Sequence, residues 1–405
     1  MLKKSALALA VSFASVAAQA AEKAPSLEEM WKIIQAQQAE IKSLKSQLNS
    51  AENNIQETKV MVAATADAVE QGAATSGKLS KLASWAEKTA VGGYGEHHFN
   101  HKEDSDDQID AHRYVLYISH QYSDTLRFFS EWELEHSLAG DGKPGEVELE
   151  QAYVEWDFAQ NHSVQFGQFL VPVGILNETH EPDTFYGTER NKVESEVLPA
   201  TWWETGIQFK GELAPGLTYN AAVHSGLEVP VSGSSAYRIR SGRQKSAEAI
   251  AEDLAFTGRL KYTGIKGLEL AAGVQMQQDI TQGAAIDDAE ATLLTAHAIY
   301  NSGNFGFRAL WAEWDIDGDD FEIAGADDLS GWYVEPSYKL TEKLGVFVRY
   351  SEYDRGNKLN TDFETYDFGV NYWLNPNVVL KADYTDTVGD GDEGDAFNLG
   401  VGWSY

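Results

Sequence analysis

Cysteine is absent from this sequence, which excludes a disulfide framework and any thiolate chemistry. Positive charge is scarce: 31 Lys and Arg stand against 63 Asp and Glu, and the formal charge of −32 opposes binding to nucleic acid. No stretch approaches the run of about eighteen apolar residues that a transmembrane helix requires. Proline and methionine are few, at 9 and 4, but aromatic residues make up 11% of the chain. A disordered acidic chain would be poor in aromatics, so this one is expected to fold.

The chain opens with Met1-Leu2-Lys3-Lys4, an apolar run from Ala6 to Ala18 and the small-residue site Ala18-Gln19-Ala20. Basic start, apolar centre and small-residue cleavage site read as a secretory signal peptide over 1–20. The product is expected to be exported. After it, Leu27, Ile34, Ile41, Leu48, Ile55, Val62 and Val69 recur at intervals of seven, with Met30, Gln37, Leu44, Ala51, Thr58 and Thr65 three positions further on. An apolar seam at this period makes helices supercoil around one another. Residues 21–71 are therefore expected to form a coiled coil that holds copies of the chain together, a rod of about 67 Å between Leu27 and Gln71 at 1.5 Å per residue. The seam does not decide between two strands and three. Residues 72–90 read as a small-residue linker, with Trp85 as a membrane-interface anchor.

From Val91 the period changes to two. Strands are predicted at 91–99, 109–122, 124–136, 146–158, 161–171, 202–213, 216–225, 253–264, 267–278, 291–301, 304–315, 330–340, 343–354, 362–374, 376–388 and 395–405, an even number. Short turns such as Ser123-Asp124, Gln160-Asn161, Pro215-Gly216 and Asn375-Pro376-Asn377 alternate with long polar links, the longest at 172–201 and 226–252. Alternating turn and loop lengths over an even strand count describe an all-β protein, a 16-stranded antiparallel transmembrane barrel over 91–405 that places the coiled coil in the periplasm. The expected partners include outer-membrane lipid and lipopolysaccharide. Pro336 falls within a strand, where a bulge is expected.

Alternation also assigns faces. Phe397, Leu399, Val401, Trp403 and Tyr405 point one way, as do Tyr366, Phe368, Val370, Tyr372 and Leu374; these rows are expected to meet lipid. The opposite face carries charges of both signs, among them Arg113, Arg127, Arg259, Lys261, Arg308, Arg349, Lys381, Glu131, Glu133, Glu335, Asp367 and Asp383. Such a wall suits a wet lumen. The acidic excess falls in the long links, for example Asp317/Asp319/Asp320 and Asp390/Asp392/Glu393, which read either as sites for divalent cations or as a solvated rim. No segment has the spacing of a calcium loop, and no metal site or cofactor is named from the sequence.

Loops as long as Pro172–Thr201 are usually functional. This one carries Glu181, Asp183, Tyr186, Arg190 and Lys192, and is expected to fold inward as a wet constriction. The 226–252 link gathers Arg238, Arg240, Arg243 and Lys245 within eight residues and no acid. These four cations either select anions, the two first facing one way if extended, or pin the loop to acidic neighbours.

GQFLVPVGILNETHEPDTFYGTERN, LPATWWETGIQFKG, SAYRIRSGR and DLAFTGRLKYTG together resemble the middle portion of the phosphate-selective porin O/P family of Gram-negative outer membranes. The resemblance covers Val91 to Tyr405. It implies a trimeric sixteen-stranded barrel, an inward third loop at Pro172–Thr201, and passive diffusion of small, often anionic solutes, phosphate among them. The mixed wall and acidic rims depart from the family's abundance of inward cations, so a general, cation-tolerant porin with the coiled coil as an envelope tether stands as the alternative. An enzyme is the weaker competitor: Glu131, Glu133 and Glu135 share a face, but no nucleophile elbow accompanies them.

Overall fold

The computed structural model describes residues 85–405 apart from 104, 286, 356–361 and 390–393, together with scattered positions between 42 and 59. The expected signal peptide, most of the expected coiled coil and residues 72–84 of the expected linker lie outside the described residues. Residues described between 42 and 59 are helical, and Leu44, Leu48 and Ile55 are exposed there. No described helix is long and apolar enough to cross a membrane, which says nothing of crossing by strands.

Sixteen strands follow: β1 Thr89–Lys102, β2 Gln108–Ser123, β3 Leu126–Glu135, β4 Val147–Ala159, β5 His162–Leu170, β6 Trp203–Ala214, β7 Leu217–His224, β8 Ala255–Ile265, β9 Leu268–Gln277, β10 Glu290–Ser302, β11 Phe305–Asp317, β12 Asp328–Lys339, β13 Leu344–Asp354, β14 Asp362–Asn375, β15 Val378–Gly389 and β16 Ala396–Ser404. Each pairs antiparallel with its sequence neighbours, and β1 closes on β16. Closure leaves no sheet edge, so the backbone's polar groups are paired strand to strand, as a hydrocarbon surround demands. The strand ends differ from expectation by a few residues; β1 starts at Thr89, inside the expected linker. Trp85 is exposed beside β1 and stacks on His120, with ring centroids 6.1 Å apart.

Period-two alternation holds around the ring. Tyr114, Leu116, Trp132, Phe166, Leu260, Leu270, Trp311, Phe368 and Leu399 are exposed on the outer face, while Arg113, Glu131, Glu155, Gln165, Gln208, Arg349, Lys381 and Asn398 are buried on the inner one. The short turns gather at one rim, where Asn161, Gly216, Gly267 and Gly303 take positive φ. The expectation of a bulge at Pro336 is corrected. Val334 pairs with Tyr350 and Ser337 with Phe347, so the ladder passes over Glu335 and Pro336 without a change of register. The pairs on both sides hold the strands, and Arg349 bonds Glu335 at 2.7 Å across the gap.

The 172–201 loop enters the barrel, but not only as a wet wall. Val173, Ile175, Leu176, Phe185, Val193, Val197 and Leu198 are buried with Trp202, Leu293, Leu310, Trp314 and Tyr333, forming a dry core inside one side of the barrel. Its apolar residues are spread among the charges, which hid this face from a reading by composition. Asn177 ties the neck: its Nδ2 donates to the Val171 and Trp202 carbonyls at 2.7 and 2.9 Å, and its Oδ1 accepts from the Trp202 amide at 2.6 Å. The fully buried Glu194, on the π-helical turn Val193–Val197, accepts from the Ile175 amide at 2.7 Å, the Leu176 amide at 2.5 Å and the Tyr333 hydroxyl at 2.7 Å.

Two outcomes test this packing. Leu260→Arg, at the middle of β8 on the outer face, is expected to lower folding stability in lipid vesicles by about 2–4 kcal/mol, whereas Leu213→Arg near the short-turn rim costs about 0–1 kcal/mol. Glu194→Ala removes the acceptor of two amides, a loss of about 1–3 kcal/mol for each buried donor left unpaired, so hydrogen exchange at Ile175 and Leu176 should accelerate roughly tenfold or more. Unchanged protection there would show that the carboxylate does not hold the loop.

Candidate solute channel

A loop inside a barrel brings carbonyl groups that no ladder satisfies. Here the wall supplies donors in sequence along the loop. Arg113 on β2 donates to the His180 carbonyl at 2.6 Å, Arg308 on β11 to Thr184 at 2.7 Å, Asn371 on β14 to Phe185 at 3.0 Å, Arg349 on β13 to Tyr186 at 2.9 Å and Lys381 on β15 to Gly187 at 2.7 Å. Asp383 then accepts from the Thr188 amide at 2.7 Å, and Trp314 donates to the Val197 carbonyl at 2.9 Å. Much of the wall's positive charge is thus engaged by the loop.

The sequence-predicted site residues separate into groups. Arg190, Lys192 and Arg240 line one cavity of about 380 Å³ together with Glu96, His98, Glu189, Arg349, Asp367 and Asp383. Arg259 and Lys261 line another, of about 850 Å³, near the short turns with Lys210, Asp157 and Glu178. Arg259 bonds Glu178, and Lys261 lies 3.8 Å from Glu269. Arg127 is in neither: it pairs with Glu155 and, at 2.7 Å, with Asp157. Asp183 accepts from the Ser404 hydroxyl at 2.8 Å, and the Glu181 carbonyl from the Thr184 hydroxyl at 2.7 Å. The Tyr186 ring sits 5.4 Å from Phe347 and 5.7 Å from Trp373.

The four cations of 226–252 are not an extended ladder, because Ile239–Gly242 is a 3-10 turn. Arg238 pairs with Glu196 at 2.9 Å. Arg240 donates to the Ser195 and Ala200 carbonyls at 2.8 and 2.7 Å, and Arg243 to those of Pro199 and Thr201 at 3.3 and 2.5 Å. Lys245 pairs with Glu146 at 3.0 Å and with Glu148. Between the two readings open at the sequence, the geometry is that of a clasp between the two longest loops.

The clasp still generates a field. Burial first, and then the neighbouring Arg240, push the Arg243 guanidinium down to about 9, and burial and Arg190 lower Arg240. Among the described residues Arg190 makes no hydrogen bond or ion pair, and it borders the cavity. Beside it, Glu189 is 45% exposed and faces His98 at 2.9 Å. A hydrogen bond from His98, the positive charge of His98 and His112, and a hydrogen bond from Asn100 hold the Glu189 carboxyl down at about 2. The cavity therefore presents a free guanidinium and a fixed carboxylate on adjacent residues.

Sequence reasoning passed over Glu150, which is fully buried yet inward only because of a bulge, and gave Asn177 and Glu194 no role. No local signal marks any of the three. Asp390, Asp392 and Glu393 of the acidic rim lie outside the described residues.

Similar proteins agree with this geometry. A curated, uncharacterized protein of Aquifex aeolicus is 28% identical over 364 residues, covering 80% of this chain and 82% of its own. The barrel superposes on an anion-selective porin from Comamonas acidovorans (TM-score 0.56, 13% identity, 78% of this chain and 99% of that one). It also superposes on Salmonella typhi OmpF (0.55, 14%, 78% and 97%) and on the trimer form of Vibrio cholerae OmpT (0.54, 13%, 78% and 99%). At these identities the likeness shows the fold. Residues 91–396 match the family model for phosphate-selective porin O and P, so this chain belongs to that family and is an outer-membrane β-barrel channel protein.

Proposed function

We propose that the protein is a passive, trimeric channel for small hydrophilic solutes with a bias toward anions, narrowed by the 172–201 loop. The observation that carries the bias is Arg190: a guanidinium without a bonded partner among the described residues, bordering the lumen cavity beside Lys192 and Arg240. An unpaired guanidinium can exchange part of an anion's hydration for its own N–H donors, and oxyanions such as phosphate or carboxylate match its fork. Arg238, Arg243 and Lys245 add to the positive potential and hold the narrowing loop in place. The Comamonas relative, described as anion-selective, and the OmpT trimer are in keeping with this reading. The heptad seam supports an oligomer, since Leu44, Leu48 and Ile55 would be covered in a coil.

One observation favours a second reading. Glu96, Glu189, Asp367 and Asp383 share the cavity with Arg190, and such a mixed wall suits a general, cation-tolerant porin, with the coiled coil as a tether.

Reversal potentials of single channels under a KCl gradient separate the two. The wild type is expected to reverse toward the chloride potential, and Arg190→Gln to reduce the anion-to-cation permeability ratio severalfold with the conductance retained. A reversal near zero or toward the potassium potential in the wild type, unmoved by Arg190→Gln, would establish the general porin. Joint replacement of Arg238, Arg240, Arg243 and Lys245 by Gln is expected to add fluctuation to the open current as the narrowing loop loosens. Deletion of 27–71 should lower the temperature at which the oligomer dissociates while leaving channels active; an abolished conductance would contradict this division of labour.

A further inference from the structure

Beneath the narrowing loop, away from the cavity, three side chains converge without satisfying one another. Glu131 comes from β3, Glu150 from β4 and His180 from the 172–201 loop, and all three are at most 2% exposed. Candidate ligand atoms of the three lie within 4.8 Å of one another. His180 Nε2 stands 3.4 Å from Glu150 Oε2 and 3.8 Å from Glu131 Oε1. Neither oxygen of Glu150 nor His180 Nε2 has a hydrogen-bond partner. A buried carboxylate with no bond to either oxygen is costly and calls for an explanation.

The local backbone is built to bring Glu150 there. Glu131 pairs with Gln151 but the next residue, Trp132, pairs with Leu149, so Glu150 is an extra residue in β4. Without that bulge the alternation running through Glu155, Tyr153 and Gln151 would turn Glu150 toward lipid. Bulges that re-aim a side chain are features of sites. His180 is arranged to match: its Nδ1 lies 3.2 Å from the Asn177 carbonyl, a bond that puts the proton on Nδ1 and leaves the Nε2 lone pair free. Glu131 Oε2 accepts from Gln151 Nε2 at 2.5 Å, and Oε1 lies 3.4 Å from the Tyr94 hydroxyl. Arg113 borders the pocket but donates to Glu96 at 2.5 Å, Tyr94 at 3.2 Å and the His180 carbonyl at 2.6 Å, not to Glu150. Glu133, also buried, adds a further carboxylate to the same wall.

We infer that Glu131, Glu150 and His180 form a binding site for one divalent first-row metal ion that fastens the narrowing loop to the β3–β4 wall. Two carboxylates and one imidazole are a donor set for Zn²⁺ and its neighbours. Ligands about 2.0–2.2 Å from one ion at angles of about 90–120° are roughly 2.8–3.8 Å apart. The 3.4 and 3.8 Å separations fall within that range, and neither contact has the geometry of a hydrogen bond. The rival occupant is a proton on Nε2, making His180 itself the counter-ion. A second His–carboxylate cluster, Asp110 with His112 and His136, lies on the cavity side, and there both imidazoles already bond Asp110, at 3.2 and 2.8 Å.

The full chain would be folded in detergent with ZnCl₂, freed of excess metal by gel filtration, and its zinc measured by atomic emission. One Zn²⁺ per chain is expected. Glu150→Gln and His180→Gln should each lower the retained zinc more than about tenfold, since even outer-shell partners cost that much, while His112→Gln leaves it in place. Absence of zinc from the wild type, retention in both variants, or loss only in His112→Gln would each overturn the assignment. Should the variants not fold, amide exchange in the wild type decides: Zn²⁺ is expected to slow exchange over 178–184 relative to EDTA, and equal rates would assign the pocket to a protonated His180.

Discussion

A loop folded into a closed barrel must find partners for its own peptide groups, because the ladders around it have none to spare. The inner wall meets that demand with cations. From Arg113 on β2 to Lys381 on β15, guanidinium, ammonium and amide groups donate to the carbonyls of His180, Thr184, Phe185, Tyr186 and Gly187. The path of the loop follows from these bonds, and so does the distribution of charge. Arg113, Arg308, Arg349 and Lys381, which look like solute ligands by their inward position, are anchors, and Arg190 stands out because it makes no such bond among the described residues.

The lumen is consequently unequal from side to side. Against β10–β13 the loop packs its apolar residues on Leu293, Leu310, Trp314 and Tyr333 and closes that sector with a dry core. Elsewhere the wall remains polar and faces the cavity that holds Glu189 and Arg190. Buried apolar area resists displacement of the loop, while the clasp of Arg238, Arg240 and Arg243 ties it to the neighbouring long loop.

Glu131, Glu150 and His180 converge outside the lining of this cavity. They join the same loop to two further strands, so cations, a dry core and a buried polar cluster hold it from different directions. Their contributions differ in kind: the cation bonds weaken when solvent reaches them, whereas the buried cluster depends on its complement of charge.

The sixteen strands, their turns and their two faces were legible because period-two alternation and turn residues are local, and a membrane barrel imposes them on every strand. The inward course of 172–201 was suggested by length, charge and family likeness. Its dry half was not, since the apolar residues are scattered among Glu, Asp and Arg and become one surface only when the chain is folded. Nor could the sequence assign the charges, since Arg349 meets Tyr186 and Lys381 meets Gly187 across well over a hundred positions. The bulge at Glu150 had no local mark, because one extra residue in β4 exists only relative to β3. By itself the sequence determined a transmembrane barrel with a long internal loop. Tertiary structure alone decided which charges the loop engages, because that depends on which carbonyls the loop brings within reach of each side chain.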